Sequence, residues 1–142
     1  MIKFTVIGEP KGKGRPRFRS RGKFVQTYTD EATINYENLV KLSFINSDNS
    51  PYLNGEPLWC HIDVYQSIPK STSKKKTEQM LIGEIRPTKK PDIDNIVKSI
   101  LDALNKVAFN DDTQIVDLQC RKFYSSVPRV EITIDEEVSV FW

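Results

Sequence analysis

The sequence has little histidine and little cysteine, and this scarcity excludes several kinds of site. Its 142 residues include one histidine and two cysteines, and Cys60 and Cys120 are far apart, with no Cys-x-x-Cys pair. We expect two reduced thiols in the core of a cytoplasmic protein, and neither a disulfide framework nor a zinc centre. The single His61 argues against serine–histidine or multi-histidine chemistry, and we interpret it as an ordinary strand residue.

Long apolar runs are also missing. No segment approaches the ~18 apolar residues that a membrane span requires, and the amino terminus lacks the apolar centre of a signal peptide. With 38% hydrophobic and 28% charged residues, the composition is typical of a soluble globular protein. We expect one domain over residues 1–142, long enough to bury a proper core, and no membrane partner.

Positive charge is concentrated near the amino terminus. Residues 1–28 hold eight of the 21 Lys and Arg but one of the 19 Asp and Glu, and every second residue from Lys11 to Lys23 is cationic. Glycines and Pro16 disfavour a helix, so the basic arm (residues 8–28) is predicted to be an extended strand or ribbon with cations along one edge. The candidate phosphate contacts are Lys11, Lys13, Arg15, Arg17, Arg19 and Arg21.

Two aromatic residues, Phe18 and Phe24, alternate with these cations and suit stacking on unpaired bases. A solvated, disordered arm is the plainer alternative. A basic amphipathic membrane helix is a third, which the period of two disfavours.

A second basic segment, the basic loop, spans residues 67–90. It contains seven cations and two glutamates, and it is longer than a structural connection needs. We predict a short helix near Lys74–Leu81 and a second phosphate-contacting element that is mobile without DNA. Its candidate DNA contacts are Lys74, Lys75, Lys76, Lys89 and Lys90.

The third notable segment predicts an amphipathic helix that begins with acidic residues. Apolar residues recur at three- and four-residue spacing from Ile93 to Ala108, which predicts a helix of about 15 residues. Asp92 is its expected N-cap and Asp94 lies in its first turn. Lys98 and Asp102 continue the polar side. Asp94 is expected at the border of the apolar stripe, half-sheltered as a metal ligand should be.

Taken singly, these acids fit ordinary roles as a cap, a dipole partner and an ion pair with Lys98. A second acidic pair, Asp111 and Asp112, follows the helix, and adjacent aspartates repel each other. Two acidic clusters in a slightly basic chain suggest a divalent-metal site. A helix of about 22 Å keeps its ends apart. The hypothesis therefore requires the following strand or turn to fold back and bring Asp112 to Asp92 and Asp94.

Alternating or periodic apolar residues predict the remaining strands and one further helix. Strands are predicted at 2–7, 58–65, 114–124 and 129–135, and a helix from Thr29 or Asp30 to about Ile45. The predicted fold is α+β, one mixed four-stranded sheet with two main helices, in the order strand-helix-strand-loop-helix-strand-strand. The residues expected to be buried in the first helix are Ile34, Leu39, Val40 and Phe44.

The acidic segment resembles the signature of the RusA-type Holliday junction resolvases, small endonucleases of phages and prophages. The matching motifs span about 25 positions in register: Lys-Pro-Asp92-Ile-Asp94-Asn95, then Lys98, Asp102-Ala-Leu104 and Asn110-Asp-Asp112-Thr-Gln114-Ile-Val. The Arg-Pro-Arg segment matches more loosely, and the basic arm is longer than in shorter-armed members. The resemblance implies a homodimer in the cytoplasm of a bacterial or phage-infected cell that nicks four-way DNA junctions with Mg²⁺, or alternatively Mn²⁺.

The resemblance also assigns roles to residues. Asp92, Asp94 and Asp112 correspond to the essential carboxylates and Lys98 to the essential lysine, and Asp111 matches a further aspartate whose role is less defined. We predict a Mg²⁺-dependent endonuclease of recombination and repair, in which Lys98 stabilises charge or orients water.

Two other functions stay open: a non-catalytic DNA-binding protein, and a metal-dependent phosphohydrolase of small nucleotides. Phe141–Trp142 and the strand around Val130 are candidate dimer surfaces.

Overall fold

The computed structural model describes residues 1–138. In chain order its elements are β1 (Ile2–Ile7), β2 (Arg17–Arg21), β3 (Phe24–Tyr28), α1 (Glu31–Ile45), β4 (Leu58–Ser67), α2 (Lys74–Leu81), α3 (Ile93–Leu104), a 3₁₀ turn (Asp112–Gln114), β5 (Ile115–Ser125) and β6 (Arg129–Glu136). Within this part of the chain, no helix is long and apolar enough to cross a membrane.

Four strands form a mixed sheet in the order β1-β6-β4-β5. β6 pairs antiparallel with β1 and with β4, whereas β5 pairs parallel with β4. Alternate residues of β1, β4 and β6 are buried, because one face of the sheet packs on α1 and α3. The predicted α+β class, the mixed sheet and the element order are confirmed.

The first helix buries a different set of residues from the one predicted. Tyr36, Val40 and Phe44 are in the core, whereas Ile34 and Leu39 are exposed. The prediction was wrong for these two because α1 carries apolar residues on both sides, and only the side of Tyr36 faces the sheet.

The third helix also ends earlier than predicted. It stops at Leu104 because Asn105 adopts extended backbone angles and Lys106 has a φ of +64°. Val107 and Ala108 continue the apolar pattern and still pack against the core, but they do so after a turn. The helix therefore has 12 residues and not about 15, and it is about 18 Å long.

The basic arm folds into a hairpin on an anchored base. β2 and β3 pair antiparallel through a two-residue turn in which Gly22 has a φ of +61°, as the first position of a type II′ turn requires. At the base, the Lys13 amide donates to the Asn95 carbonyl at 2.9 Å. A Cβ on Gly12 would lie 3.0 Å from the Asn95 Cβ, so a larger residue would press against the start of α3 here.

The basic loop contains the predicted helix, with the predicted bounds Lys74–Leu81. Ser73 caps it by accepting from the Lys76 amide. Arg86 Nε donates to the Lys122 carbonyl at 2.9 Å, and Lys122 Nζ donates to the Lys89 carbonyl at 2.7 Å. These bonds fasten the end of the loop to β5.

The strand around Val130 stays a candidate dimer surface. Val130 itself is wholly buried and β6 is paired on both edges, but the outward side chains of this strand, such as Glu131, are partly exposed. The other candidate, Phe141–Trp142, lies outside the described residues.

Candidate active site

Two acids open α3. Asp92 is the N-cap residue, as predicted, and Asp94 lies in the first turn. Within the described residues, the Asp92 carboxylate accepts no capping hydrogen bond from the helix, which leaves its oxygens available to a ligand. Asp92, Asp94 and Lys98 are all exposed. The expectation that Asp94 is half-sheltered is therefore wrong for a single chain.

A cleft of about 690 Å³ lies where the base of the basic arm meets the start of α3. Asp92 is the single carboxylate that lines it within residues 1–138, together with the cations Lys11, Arg15 and Lys90. The close fit of Gly12 against α3 and the bond from Lys13 to Asn95 hold these cations beside Asp92. Opposite charges in one cleft suit a phosphate that is bound together with a cation.

The second acidic pair lies in a rigid turn after α3. Asp111 caps the 3₁₀ turn by accepting from the Thr113 amide, and Gln114 completes a capping box. The buried Gln114 amide accepts from the Asn110 and Asp111 backbone, at 2.8 and 3.0 Å, and donates to the carbonyls of two residues before β4. Asn105 Oδ1 accepts from the Asp112 amide at 3.1 Å.

Gln114 and Asn105 are positioning residues to which the sequence analysis gave no role. A signal for Gln114 was present, because Asp111-x-x-Gln114 has the spacing of a capping box. Nothing local marks Asn105, whose side chain acts on a residue seven positions further along.

The carboxyls of Asp111 and Asp112 lie close enough to shift each other's pKa in opposite directions. A hydrogen bond that protonated Asp112 donates to the Asp111 carboxylate raises the pKa of Asp112, and partial burial and the nearby charges of Asp111 and Asp102 raise it further. The same hydrogen bond, together with one from the Thr113 amide, lowers the pKa of Asp111. The pair therefore holds its first proton on Asp112, as two adjacent carboxyls do when no cation separates them.

One of the predicted phosphate contacts, Lys13, forms ion pairs with other residues of the same chain. Lys13 Nζ lies 2.5 Å from Glu37 Oε1 and 3.2 Å from Asp102 Oδ2, and so joins the arm to α1 and α3. Burial lowers the pKa of Lys13, but hydrogen bonds to both carboxylates outweigh this and raise it above its usual value. Lys13 therefore connects the basic arm to α1 and α3, and it also lines the cleft.

The structure does not bring all the predicted ligands together in one chain. Asp92 and Asp94 lie at the start of α3, whereas Asp112 follows its far end and lies near Asp111 and Asp102. Among residues 1–138, no three His, Cys, Asp or Glu side chains form a group that could hold a metal ion. The carboxylate oxygens suit Mg²⁺ or Mn²⁺, but one chain does not gather enough of them.

The two basic elements present their cations to solvent. Directly opposite residues of the hairpin share a face, so its first face combines three arginines with two aromatic rings and its second face has no charge. On the first face, the Arg19 guanidinium lies 5.0 Å from the centre of the Tyr28 ring. Lys74, Lys75 and Lys76 form the first turn of α2, where the helix dipole disfavours cations, so an anionic partner would relieve them.

Comparisons with known proteins agree with this arrangement. The sequence matches the family described as "Endodeoxyribonuclease RusA" over residues 8–135, which include the basic arm, both acidic pairs and the strands β4 and β5. It is also 43% identical over 137 residues to "Uncharacterized protein YqaN" of Bacillus subtilis (strain 168), a match that spans 95% of this chain and 96% of the relative. The chain belongs to the RusA endodeoxyribonuclease family.

Proposed function

We propose that this chain is a Mg²⁺-dependent, structure-selective endonuclease that nicks four-way DNA junctions in recombination and repair. The observation that carries the proposal is the cleft in which Asp92 lies among Lys11, Arg15 and Lys90. A DNA phosphate bound there would meet cations on one side and a carboxylate that accepts a metal ion on the other.

Each residue of the site has a proposed task. Asp92, Asp94 and Asp112 are the metal ligands, with Asp111 as a further ligand. A bound ion would neutralise phosphate charge and activate water. Lys11, Arg15 and Lys90 orient the scissile phosphate. Lys98, one turn beyond Asp94 on an exposed part of α3, supplies a fixed cation that stabilises developing negative charge or orients the attacking water.

A homodimer resolves the separation of the two acidic pairs. One chain keeps Asp92 and Asp94 about a helix length from Asp112. A second chain that presents its own exit turn to this cleft would complete the ligand set, and the two-fold axis would produce two such sites. Two symmetric sites suit a four-way junction, whose two cut strands are also related by two-fold symmetry.

The hairpin and α2 are the proposed DNA-binding elements beyond the cleft. Arginines at alternate positions of β2 are about 7 Å apart, and a two-stranded ribbon fits the major groove of duplex DNA. Phe24 and Tyr28 share the arginine face and could stack where bases unpair at the crossover. Lys74, Lys75, Lys76, Lys89 and Lys90 extend the positive surface.

The experiment that tests the proposal is Asp92→Asn, assayed on a labelled four-way junction with Mg²⁺ and with Mn²⁺. We expect cleavage to fall at least 1,000-fold, while binding persists and weakens steeply with salt. Unchanged cleavage would remove Asp92 from the site. No cleavage by the unmodified protein, with junction binding intact, would favour a non-catalytic DNA-binding protein.

Removing the hairpin separates the nuclease from a phosphohydrolase of small nucleotides. Residues 17–28 are replaced by a short glycine–serine linker, which leaves Lys13 and its ion pairs in place. A junction nuclease should lose affinity for DNA broadly. An enzyme of small nucleotides should keep its activity, because its substrate needs no extended basic surface.

A further inference from the structure

The inward row of β4 ends in a buried amide. Leu58, Cys60, Ile62 and Val64 occupy the alternate positions that face the helices, and Gln66 follows them with 4% of its surface exposed. A buried polar side chain costs free energy unless it is hydrogen-bonded, and an aliphatic side chain of similar size would fill the same space. Packing alone therefore does not account for a glutamine at this position.

The Gln66 amide holds the backbone that enters the cleft. Its Nε2 donates to the Lys90 carbonyl at 3.2 Å. Lys90 and Asp92 both line the cleft, and Pro91 between them has no amide hydrogen with which to bond. A side chain from the centre of the sheet thus takes the carbonyl that lies two residues before the carboxylate of the candidate site.

The segment is also held from two other sides. The carbonyl before Lys90 accepts from Lys122 Nζ at 2.7 Å. Gly12 of the basic arm lies so close that a Cβ there would be 3.1 Å from the Pro91 Cβ. Because both the arm and this segment supply cations to the cleft, a shift of the segment would change how far those cations lie from the Asp92 carboxylate.

The other polar atom of the amide has no partner among residues 1–138. Because Nε2 is turned towards the Lys90 carbonyl, Oε1 points away from it, and this buried oxygen has no donor within hydrogen-bond distance. An unpaired buried acceptor destabilises a fold. The Gln66 amide therefore contributes at this position through a single bond, the one to Lys90.

We propose that Gln66 is a positioning residue of the nuclease site, a role that rests on the proposed function. It acts through Lys90, because it fixes the backbone that brings the Lys90 ammonium and the Asp92 carboxylate into the cleft. DNA affinity is spread over the hairpin, α2 and the cleft, whereas the reaction needs the phosphate and the metal ion at a set distance. Loss of this bond should therefore slow cleavage and leave the affinity for DNA nearly unchanged.

Gln66→Met tests this role, because methionine has a similar length and no amide. The substitution removes the bond to Lys90 and also the unpaired oxygen. These two effects on stability oppose each other, so the midpoint of urea unfolding should change little. The single-turnover rate at saturating four-way junction should fall by about 10- to 100-fold. The Kd for the junction, measured without metal, should change by less than about 2-fold, because the phosphate contacts remain.

Val64→Ala, at the preceding inward position of the same strand, is the matched control. It leaves a cavity, so the midpoint of unfolding should fall, but the folded molecules should cleave at the unmodified rate. The backbone carbonyl ¹³C resonance of Lys90 in the metal-free protein is a second measurement that does not depend on activity. It should shift in Gln66→Met and stay in place in Val64→Ala.

Cleavage at the unmodified rate by Gln66→Met, or an equal loss of rate in Val64→Ala, would overturn the proposal. If the unmodified protein cleaves no junction, the proposed function fails, and the Lys90 resonance alone decides whether Gln66 holds this segment. An unchanged resonance in Gln66→Met would then refute that contact as well.

Discussion

Asp112 owes its position to neutral side chains that no charge pattern reveals. Asn105 holds its amide, and the buried Gln114 holds the backbone just before it. These two residues fix where the carboxylate of Asp112 lies relative to α3. At the scale of single residues, the acids were therefore predictable from the sequence, whereas the groups that position them were not.

Asn105→Ala should separate the position of Asp112 from the stability of the fold. The substitution removes one hydrogen bond, so we expect the free energy of unfolding to fall by about 1 kcal/mol. Junction cleavage should fall further, about 10-fold or more, because Asp112, the proposed metal ligand, would lose its orientation. Urea unfolding and single-turnover cleavage measure the two effects. Asn110→Ala, in the same turn, is the control, and an equal loss of cleavage there would contradict a specific role for Asn105.

The opposite pKa shifts of Asp111 and Asp112 give a prediction about pH. The raised pKa of Asp112 means that the folded chain favours its protonated form. Protonation of Asp112 therefore stabilises the folded state. This stabilisation is fully present at a pH below the ordinary pKa of a carboxyl group, and it is lost as the pH rises through the raised pKa of Asp112. Asp111→Asn keeps the cap to the Thr113 amide but removes the charged partner, so the pKa of Asp112 should fall towards its ordinary value.

Carboxyl-carbon NMR of the metal-free protein, followed against pH, tests this directly. Asp117→Asn, on β5, is the control substitution and should leave the Asp112 titration unchanged. An Asp112 titration that is the same in the Asp111→Asn variant would show that the two carboxyls do not shift each other's pKa.

The base of the basic arm contacts both α1 and α3, and it also lines the cleft beside Asp92. Lys13 pairs with Glu37 of α1 and Asp102 of α3, and Gly12 lets the backbone lie against the start of α3. The same residues that place Lys11 and Arg15 beside Asp92 thus also stabilise the packing of α1 on α3.

Lys13→Met tests this connection. The change leaves Glu37 and Asp102 facing each other without a cation, and both carboxylates are partly buried. We expect the free energy of unfolding to fall by about 1–2 kcal/mol, between the values typical of exposed and buried ion pairs. Lys23→Met in the hairpin turn removes the same charge and should have little effect on stability. A similar small effect for both variants in urea unfolding would refute the role of Lys13.

The sequence predicted most elements, because the inward residues of β1, β4 and β6 alternate and the core residues of α3 recur at helical spacing. It misplaced the end of α3, since Val107 and Ala108 keep the apolar pattern after the chain has turned at Lys106. It also misjudged α1, because apolar residues on two sides do not reveal which side faces the sheet. Tertiary contacts decide both points.

For the whole molecule, the proposed function raises the question of how the two acidic pairs could reach one metal ion. The sequence analysis required Asp112 to approach Asp92 and Asp94, but a single chain does not gather three ligands within its described residues. Under the proposed function, the separation of the two acidic pairs and the two-fold symmetry of a four-way junction favour a pair of chains. Residue spacing along one chain does not predict contacts between two chains, so the spacing of these acids could not suggest a shared site.

The most direct test mixes two inactive variants, Asp92→Asn and Asp112→Asn, under conditions that let subunits exchange. If each site takes ligands from both chains, a mixed dimer has one site with both substitutions and one intact site. Cleavage of a four-way junction should then return to about a quarter of the activity of the unmodified protein, since half of the dimers are mixed and each has one working site. If mixing restores no cleavage although exchange is complete, the site does not take these two ligands from different chains, and the account is wrong.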